Sequence, residues 1–183
     1  MWGWLRSWFS GDVGVISSGP AIRSTDPLMT AFNSAMGDVG QGEVPRGSNG
    51  GPYCESLRLA TGLQRKAGGQ WCAVFISAHL QRAGLPVGSR GAPGIVRAVE
   101  QLPGGRRVTA DELVVGKVYV ALRKRGLRSH HVQMFLVIGT LGGVMLRHVG
   151  GNEKHRVCTR LWQPERYLKG VKKIVTYNPP ETL

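Results

Sequence analysis

The chain has 183 residues, of which 42% are hydrophobic, and it carries a formal net charge of +13. Its length and hydrophobic content fit a single domain with a packed core. Three cysteines are too few for a multi-bridge disulfide framework, which favours synthesis in a reducing compartment. No stretch reaches the roughly 20 apolar residues of a membrane-spanning helix. The positive charge attracts polyanions, among them nucleic acid, anionic lipid and cell-wall polymers, without selecting one of them.

Residues 1–25 are predicted to form a leader ahead of one domain that spans residues 26–183. The leader begins with an aromatic segment that contains Trp2, Trp4 and Trp8, and it lacks the long apolar core of a secretory signal. Two interpretations stay open. The leader could dock on a partner or a membrane interface, or it could be a short arm that packs back on the domain.

Four helices are predicted in the first part of the domain. Asp26 followed by a proline is typical of a helix N-cap, and hydrophobic residues then recur at helical spacing. The glycine-rich residues 42–52 predict a loop. The next three helices are expected from Pro52 to about Ala60, from Cys72 to about Ala83, and from Pro93 to about Leu102.

The hydrophobic period changes from helical to alternating after the fourth helix. Alternation of this kind predicts strands whose two faces have different surroundings. The expected strands cover residues 117–122, 131–138, 144–148, 157–161 and 173–177. Helices first and strands second indicate an α+β fold, with N-terminal helices packed on an antiparallel β-sheet meander.

Cys72 lies where a glycine-rich break meets an apolar helical run. Unpaired backbone N–H groups and the helix dipole favour a negative charge at such a position, so a thiol there is easily ionised. A thiolate nucleophile needs a histidine partner, and His131 begins a predicted strand downstream. A buried, inert cysteine is the more usual reading of such a residue, and we retain that reading for Cys54 and Cys158.

A hairpin count links His131 to a third residue. A two-residue turn at Leu141-Gly142 makes Thr140 face Gly143, and the same register sets His131 opposite Asn152. Directly opposed side chains have Cβ atoms about 4.5–5.5 Å apart, so Asn152 could orient the imidazole ring. An odd loop length or a β-bulge would shift this pairing by one residue.

Several segments resemble the cysteine, histidine-dependent amidohydrolase/peptidase (CHAP) domains of peptidoglycan hydrolases, which are relatives of NlpC-type and papain-like enzymes. The resemblance covers roughly residues 40–162, and its motifs occur in the same order as in a phage and prophage subgroup. They are Gln70-Trp71-Cys72-Ala73-Val74-Phe75-Ile76-Ser77, His131-Val132-Gln133-Met134-Phe135-Leu136-Val137, Gly150-Gly151-Asn152, and Glu43-Val44-Pro45 with Gly47-Ser48-Asn49.

The resemblance implies a papain-like fold and a catalytic triad of Cys72, His131 and Asn152. Such an enzyme would cut an amide bond of the cell-wall peptide through an acyl-enzyme, as an endopeptidase or amidase. It would be a phage endolysin or a tail-associated lysin. In that case it is made in the bacterial cytoplasm without a signal peptide and acts at the cell wall or periplasm, or is carried on a virion.

Three further residues are assigned to substrate binding. Trp71 lies beside the cleft in the resembling family, and Asn49 belongs to the upstream loop motif. His130 stands where those domains have a glycine, and strand alternation places it on the opposite face from His131. Expected partners are peptidoglycan, anionic cell-envelope polymers and, through the leader, a phage tail or other structural protein.

No cofactor or metal is expected, because His148, His155 and Cys158 match no familiar tetrahedral zinc spacing. Two other functions remain open at this stage. One is a basic nucleic-acid-binding module, which the charge favours and the absence of a recognition-helix or stacking-sheet signature disfavours. The other is a structural phage component that carries a degenerate hydrolase domain and docks through its leader.

Overall fold

The computed structural model describes residues 26–63, 71–89, 91–124 and 130–180, so the predicted leader lies outside the described residues. Within these ranges the chain is α+β, as predicted. The helices are α1 (Pro27–Gly37), α2 (Pro52–Thr61), α3 (Cys72–Arg82), α4 (Ala92–Gln101) and α5 (Pro164–Leu168). The strands are β1 (Gly105–Val108), β2 (Val118–Lys124), β3 (His130–Thr140), β4 (Gly143–Glu153), β5 (Arg156–Trp162) and β6 (Val171–Tyr177).

The four predicted helices are confirmed with ends within two residues of those expected. Asp26 caps α1, and its Oδ1 accepts a hydrogen bond from the backbone N–H of Leu28 at 2.8 Å. Gly62 ends α2 in the left-handed conformation at φ 65°, which a residue without Cβ adopts at little cost. Helix α3 begins at Cys72 itself, and no side chain caps its N-terminus.

The six strands form one antiparallel sheet in the order β1-β6-β2-β3-β4-β5. Strands β2 to β5 form the predicted meander, but β6 returns to pair with β2 rather than continuing beside β5. The sequence did not predict β1 or α5. Strand β1 is a short edge strand with two exposed arginines, and α5 has only five residues, so neither shows a clear hydrophobic period.

Alternate residues of the strands serve two different hydrophobic clusters. Val132 and Met134 of β3 face the layer formed by α1 to α4, whereas Phe135 and Val137 pack with Tyr167 of α5 on the other face. His131 and Gln133 share the α5 face by alternation. Alternation therefore places His131 on the opposite side of the sheet from most of α3, and the start of α3 approaches His131 near the first residues of β3.

Gly150 and Gly151 of β4 allow that approach. A Cβ on Gly151 would lie 2.7 Å from atoms of Phe75 and Trp71, and a Cβ on Gly150 would lie 2.6 Å from the Glu153 carboxylate and 3.3 Å from His131 Nε2. The strand is thus bare of side chains on both faces where the start of α3 approaches it. No helix in the described part of the chain is long and apolar enough to cross a membrane.

Replacing Gly151 with alanine is therefore expected to destabilise the protein. The added methyl group overlaps the side chains behind the nucleophile, and overpacking of this kind costs about 1–3 kcal/mol of unfolding free energy. Gly142→Ala is the matched control, because a Cβ there meets nothing within 4 Å. Chemical denaturation of both variants measures the difference, and equal stabilities would contradict the close approach.

Candidate active site

The first residue of α3 and the second residue of β3 form the centre of the site. Cys72 is 2% exposed and His131 is 5% exposed, and each side chain shifts the pKa of the other, although neither ring nitrogen of His131 has a well-aligned hydrogen-bond partner. The predicted partnership of these two residues thus corresponds to a close approach of their side chains. Helix α3 holds the thiol through its buried apolar face, and the pairing of Arg123 with His131 fixes the histidine within the sheet.

The surroundings of Cys72 favour its thiolate form. Burial alone would raise the pKa of the thiol, but the hydrogen bond and the charge of His131 outweigh it, and the pKa lies below its ordinary value. The backbone N–H groups of Val132 and Ala73 also point at the sulfur. The start of a helix thus contributes as expected, with an added donor from β3.

His131 is the cationic partner of this thiolate. Burial lowers the pKa of the imidazole, but contacts with Cys72 and Glu153 raise it to about 9. The lowered thiol pKa and the raised imidazole pKa both favour a thiolate–imidazolium pair, the form in which a cysteine is a strong nucleophile. The imidazolium holds a proton for later transfer.

The carboxylate that meets His131 belongs to Glu153, a residue that the sequence did not identify. Glu153 Oε1 lies 3.4 Å from His131 Nε2, a charge contact rather than a well-aligned hydrogen bond. Burial raises the pKa of Glu153, but its contacts with His131 and His148 hold that pKa far below the ordinary value of 4.5. Glu153 is thus a buried anion beside the imidazolium.

The predicted hairpin register is correct, but it ends before Asn152. The ladder from Thr140–Gly143 to Met134–Val149 follows the expected pairing. Beyond it the β4–β5 register shifts between Gly150 and Glu153. Asn152 adopts a left-handed conformation at φ 61° and donates from Nδ2 to Asn49 Oδ1 at 3.3 Å. The irregularity brings the carboxylate of the following residue to the ring.

The three residues assigned to substrate binding have different surroundings. Trp71 is fully buried, with edge contacts to Tyr53 and Phe75, so it packs behind the nucleophile instead of facing a substrate. Asn49 is half-buried, and its Oδ1 accepts the hydrogen bond from Asn152. His130 is exposed at the first position of β3, where it pairs with Lys124.

Glu43 anchors the upstream loop to the nucleophile segment. Its Oε1 accepts a hydrogen bond from Trp71 Nε1 at 2.6 Å, and its Oε2 accepts from the N–H of Gly47 at 2.8 Å and lies 3.2 Å from His155 Nδ1. Burial raises the pKa of Glu43, but these donors bring it below the ordinary value. A cleft of about 520 Å³ borders this loop, with Arg46 among its lining residues.

The other buried cysteine and the buried histidine of α3 have surroundings unlike those of Cys72 and His131. Burial raises the pKa of Cys54 to about 11, so its thiol is protonated at neutral pH. His79 is fully buried against Ser34 and Asp38. Among the described residues, no three His, Cys, Asp or Glu side chains are grouped as metal ligands would be.

The depressed pKa of Glu153 predicts a loss of stability in acid. Below pH 4.5 the unfolded chain binds a proton at Glu153 that the folded protein does not, so this residue's contribution is present above that pH and is lost as the pH falls. Between pH 5 and pH 3 the loss should be roughly 1–2 kcal/mol of unfolding free energy more than in Glu153→Gln. Urea unfolding at both pH values tests this, and parallel losses in the two proteins would contradict it.

The chain matches no protein-family model, no curated protein and no solved structure. The geometry of Cys72, His131 and Glu153 and the sequence motifs around them therefore carry the information on the chemistry of this site.

Proposed function

We propose that the protein is a cysteine hydrolase with a papain-like CHAP fold that cuts an amide bond in peptidoglycan. The observation that carries this proposal is the buried pair of Cys72 at a helix start and His131 on β3, close enough that the thiol pKa is lowered and the imidazole pKa is raised. A structural cysteine needs neither shift. Opposed shifts of this kind are typical of an activated nucleophile and its acid–base partner.

The proposed reaction begins with attack of the Cys72 thiolate on an amide carbonyl carbon. The C–S bond forms as the carbonyl π electrons move onto oxygen, and first-turn N–H groups of α3, which has no side-chain cap, stabilise that oxyanion. The imidazolium of His131 then protonates the leaving nitrogen as the C–N bond breaks. In the second half, His131 accepts a proton from water, the resulting hydroxide attacks the thioester, and the Cys72 thiolate is released.

Peptidoglycan as the substrate rests on the motifs and on charge. The CHAP-like segments surround the residues that form the site, and the net charge of +13 favours the anionic polymers of a bacterial envelope. Synthesis in a bacterial host, action at the wall, and a virion-borne or endolysin setting follow from the same resemblance. The leader of residues 1–25 is then a candidate docking arm for a tail or another structural protein.

Purified peptidoglycan tests the proposal. Wild-type protein should lower the turbidity of a wall suspension and release soluble peptide fragments, whose masses identify the bond that is cut. Protein alkylated at Cys72 with iodoacetamide, with the modified residue identified by mass spectrometry, should release none. Turnover that survives complete alkylation of Cys72 would refute a cysteine mechanism.

A further inference from the structure

One carboxylate serves two histidines on the α5 face of the sheet. Glu153 Oε1 lies 3.4 Å from His131 Nε2 and 3.1 Å from His148 Nε2, and its Oε2 lies 3.2 Å from the same His148 nitrogen. His148 is 1% exposed. If both rings carried a proton on each nitrogen, two cations would share one anion. The mechanism above needs the cation on His131 alone.

Trp162 determines the protonation of His148. Its indole Nε1 donates a hydrogen bond to His148 Nδ1 at 2.8 Å. An indole N–H is a donor only, so His148 Nδ1 must accept with its lone pair and carries no proton. His148 is then neutral, with its single ring proton on Nε2, the atom that faces Glu153. The histidine donates to the carboxylate without cancelling its charge.

Gln133 completes a set of neutral donors to Glu153. Its Nε2 donates to Glu153 Oε1, and its own Oε1 accepts from the Tyr167 hydroxyl at 3.1 Å, which fixes the orientation of the amide. The guanidinium of Arg123 lies over the ring of Tyr167, 4.6 Å from its centroid, and 5.8 Å from that of Trp162. A permanent cation on this face further disfavours a second one on His148.

We propose that Trp162 is a positioning residue that keeps His148 neutral and thereby reserves the negative charge of Glu153 for His131. The protonation part of this inference stands on the hydrogen bonds alone, and its effect on turnover rests on the proposed function. The titratable and charged groups near Glu153 and His148 are His131, Cys158, Arg123 and Tyr167, together with the cross-strand arginines of β5, Arg156 opposite Glu153 and Arg160 opposite His148.

Loss of the indole N–H would free His148 Nδ1 to bind a second proton. The resulting imidazolium would attract Glu153 and weaken its pull on His131. The His131 titration midpoint should then move down by about one pH unit, which lowers the population of the ion pair about tenfold above that midpoint. Trp162→Phe makes this change while keeping an aromatic ring in place.

Nuclear magnetic resonance of the full chain with ¹⁵N-labelled imidazoles tests the protonation directly. In the folded wild type, His148 should show an unprotonated Nδ1 and a protonated Nε2. A charged His148, or a proton on Nδ1, would overturn the inference even if no variant folded. This readout needs no turnover, so an inactive protein with the expected spectrum would refute the proposed function and leave the inference standing.

A variant cycle separates this role from simple packing. Trp162→Phe should lower kcat on peptidoglycan about tenfold at pH 10 and only about twofold at pH 8, with little change in KM, because the His131 midpoint falls from about 9 by about one pH unit. His148→Gln keeps an N–H donor for Glu153 and cannot become charged, so Trp162→Phe should cost much less activity in the His148→Gln background than in the wild type. Combining the two changes should restore most of the activity lost in Trp162→Phe. If the combined variant is no better than Trp162→Phe, the indole acts only by packing.

Discussion

Replacement of Cys72 with alanine should abolish wall hydrolysis while leaving the protein folded. The loss should be at least about 1,000-fold in kcat, because removing the nucleophile leaves only binding and oxyanion stabilisation. The Cys72 side chain is small and lies at the first residue of α3, where it is 2% exposed. Its replacement by a methyl group therefore removes little packing. Release of soluble fragments from purified peptidoglycan measures the rate.

Cys54→Ala is the matched control for that experiment. Cys54 is equally buried and undergoes the same chemical change. It lies in α2 rather than at the start of α3, and burial raises the pKa of its thiol to about 11. This variant should keep full activity, with any effect confined to thermal stability. Circular dichroism and melting curves should show that both variants are folded. Retained hydrolysis in a folded Cys72→Ala protein would refute the proposed nucleophile.

Replacement of Glu153 with glutamine should lower kcat by about 10²- to 10⁴-fold, the range seen when the anionic partner of a catalytic histidine becomes an amide. The amide keeps the size of the side chain but removes the charge that helps to raise the pKa of His131 to about 9. The alkaline limb of the pH–rate profile should therefore move to lower pH. Profiles of kcat for the two proteins measure both effects.

Asn152→Ala discriminates between the two candidates for the third residue. It removes a hydrogen bond to Asn49, worth about 0.5–1.5 kcal/mol, and so should cost about tenfold or less in kcat. The alkaline limb should stay in place. If Asn152→Ala were the more damaging change and shifted that limb, Asn152 would be the orienting residue that the family resemblance implies.

The sequence was informative about the parts of the site that depend on local patterns. A glycine-rich break before an apolar run located the start of α3 at Cys72, and the turn at Leu141-Gly142 fixed seven pairs of the β3–β4 ladder. Both features arise from residues close together in the chain. Strand alternation allows only one of His130 and His131 to face Cys72, and the motif register and the hairpin pairing favour His131. The structure buries His131 and exposes His130.

The contact of Glu153 with His131 could not be found in the same way. Counting along a ladder assumes a regular strand, and the irregularity between Gly150 and Glu153 breaks that assumption by one residue. The glycine pair was the available signal, since glycine within a strand often marks a bulge or a close approach of another element. Here it marks both, because Cβ atoms at Gly150 and Gly151 would meet the carboxylate and α3 respectively.

The hydrogen-bond partners of Glu153 were even harder to predict from the sequence. In the sequence His148 suggests at most a metal ligand. In the structure its partners are Trp162 of β5 and the carboxylate of Glu153, five residues further along the chain. Tyr167 comes from α5, a helix too short to show a period. These contacts depend on how the α5 face packs, and no spacing between the residues encodes that packing.

The most direct test of the central claim is the count of new amino groups released from purified peptidoglycan. Cleavage of an amide by the Cys72 thiolate frees one amine for each bond cut and produces no new reducing sugar. We expect amines to accumulate with wild-type protein in step with solubilisation, and to stay at background with Cys72→Ala. Solubilisation with new reducing ends and no new amines, or no solubilisation by folded wild-type protein, would contradict the account.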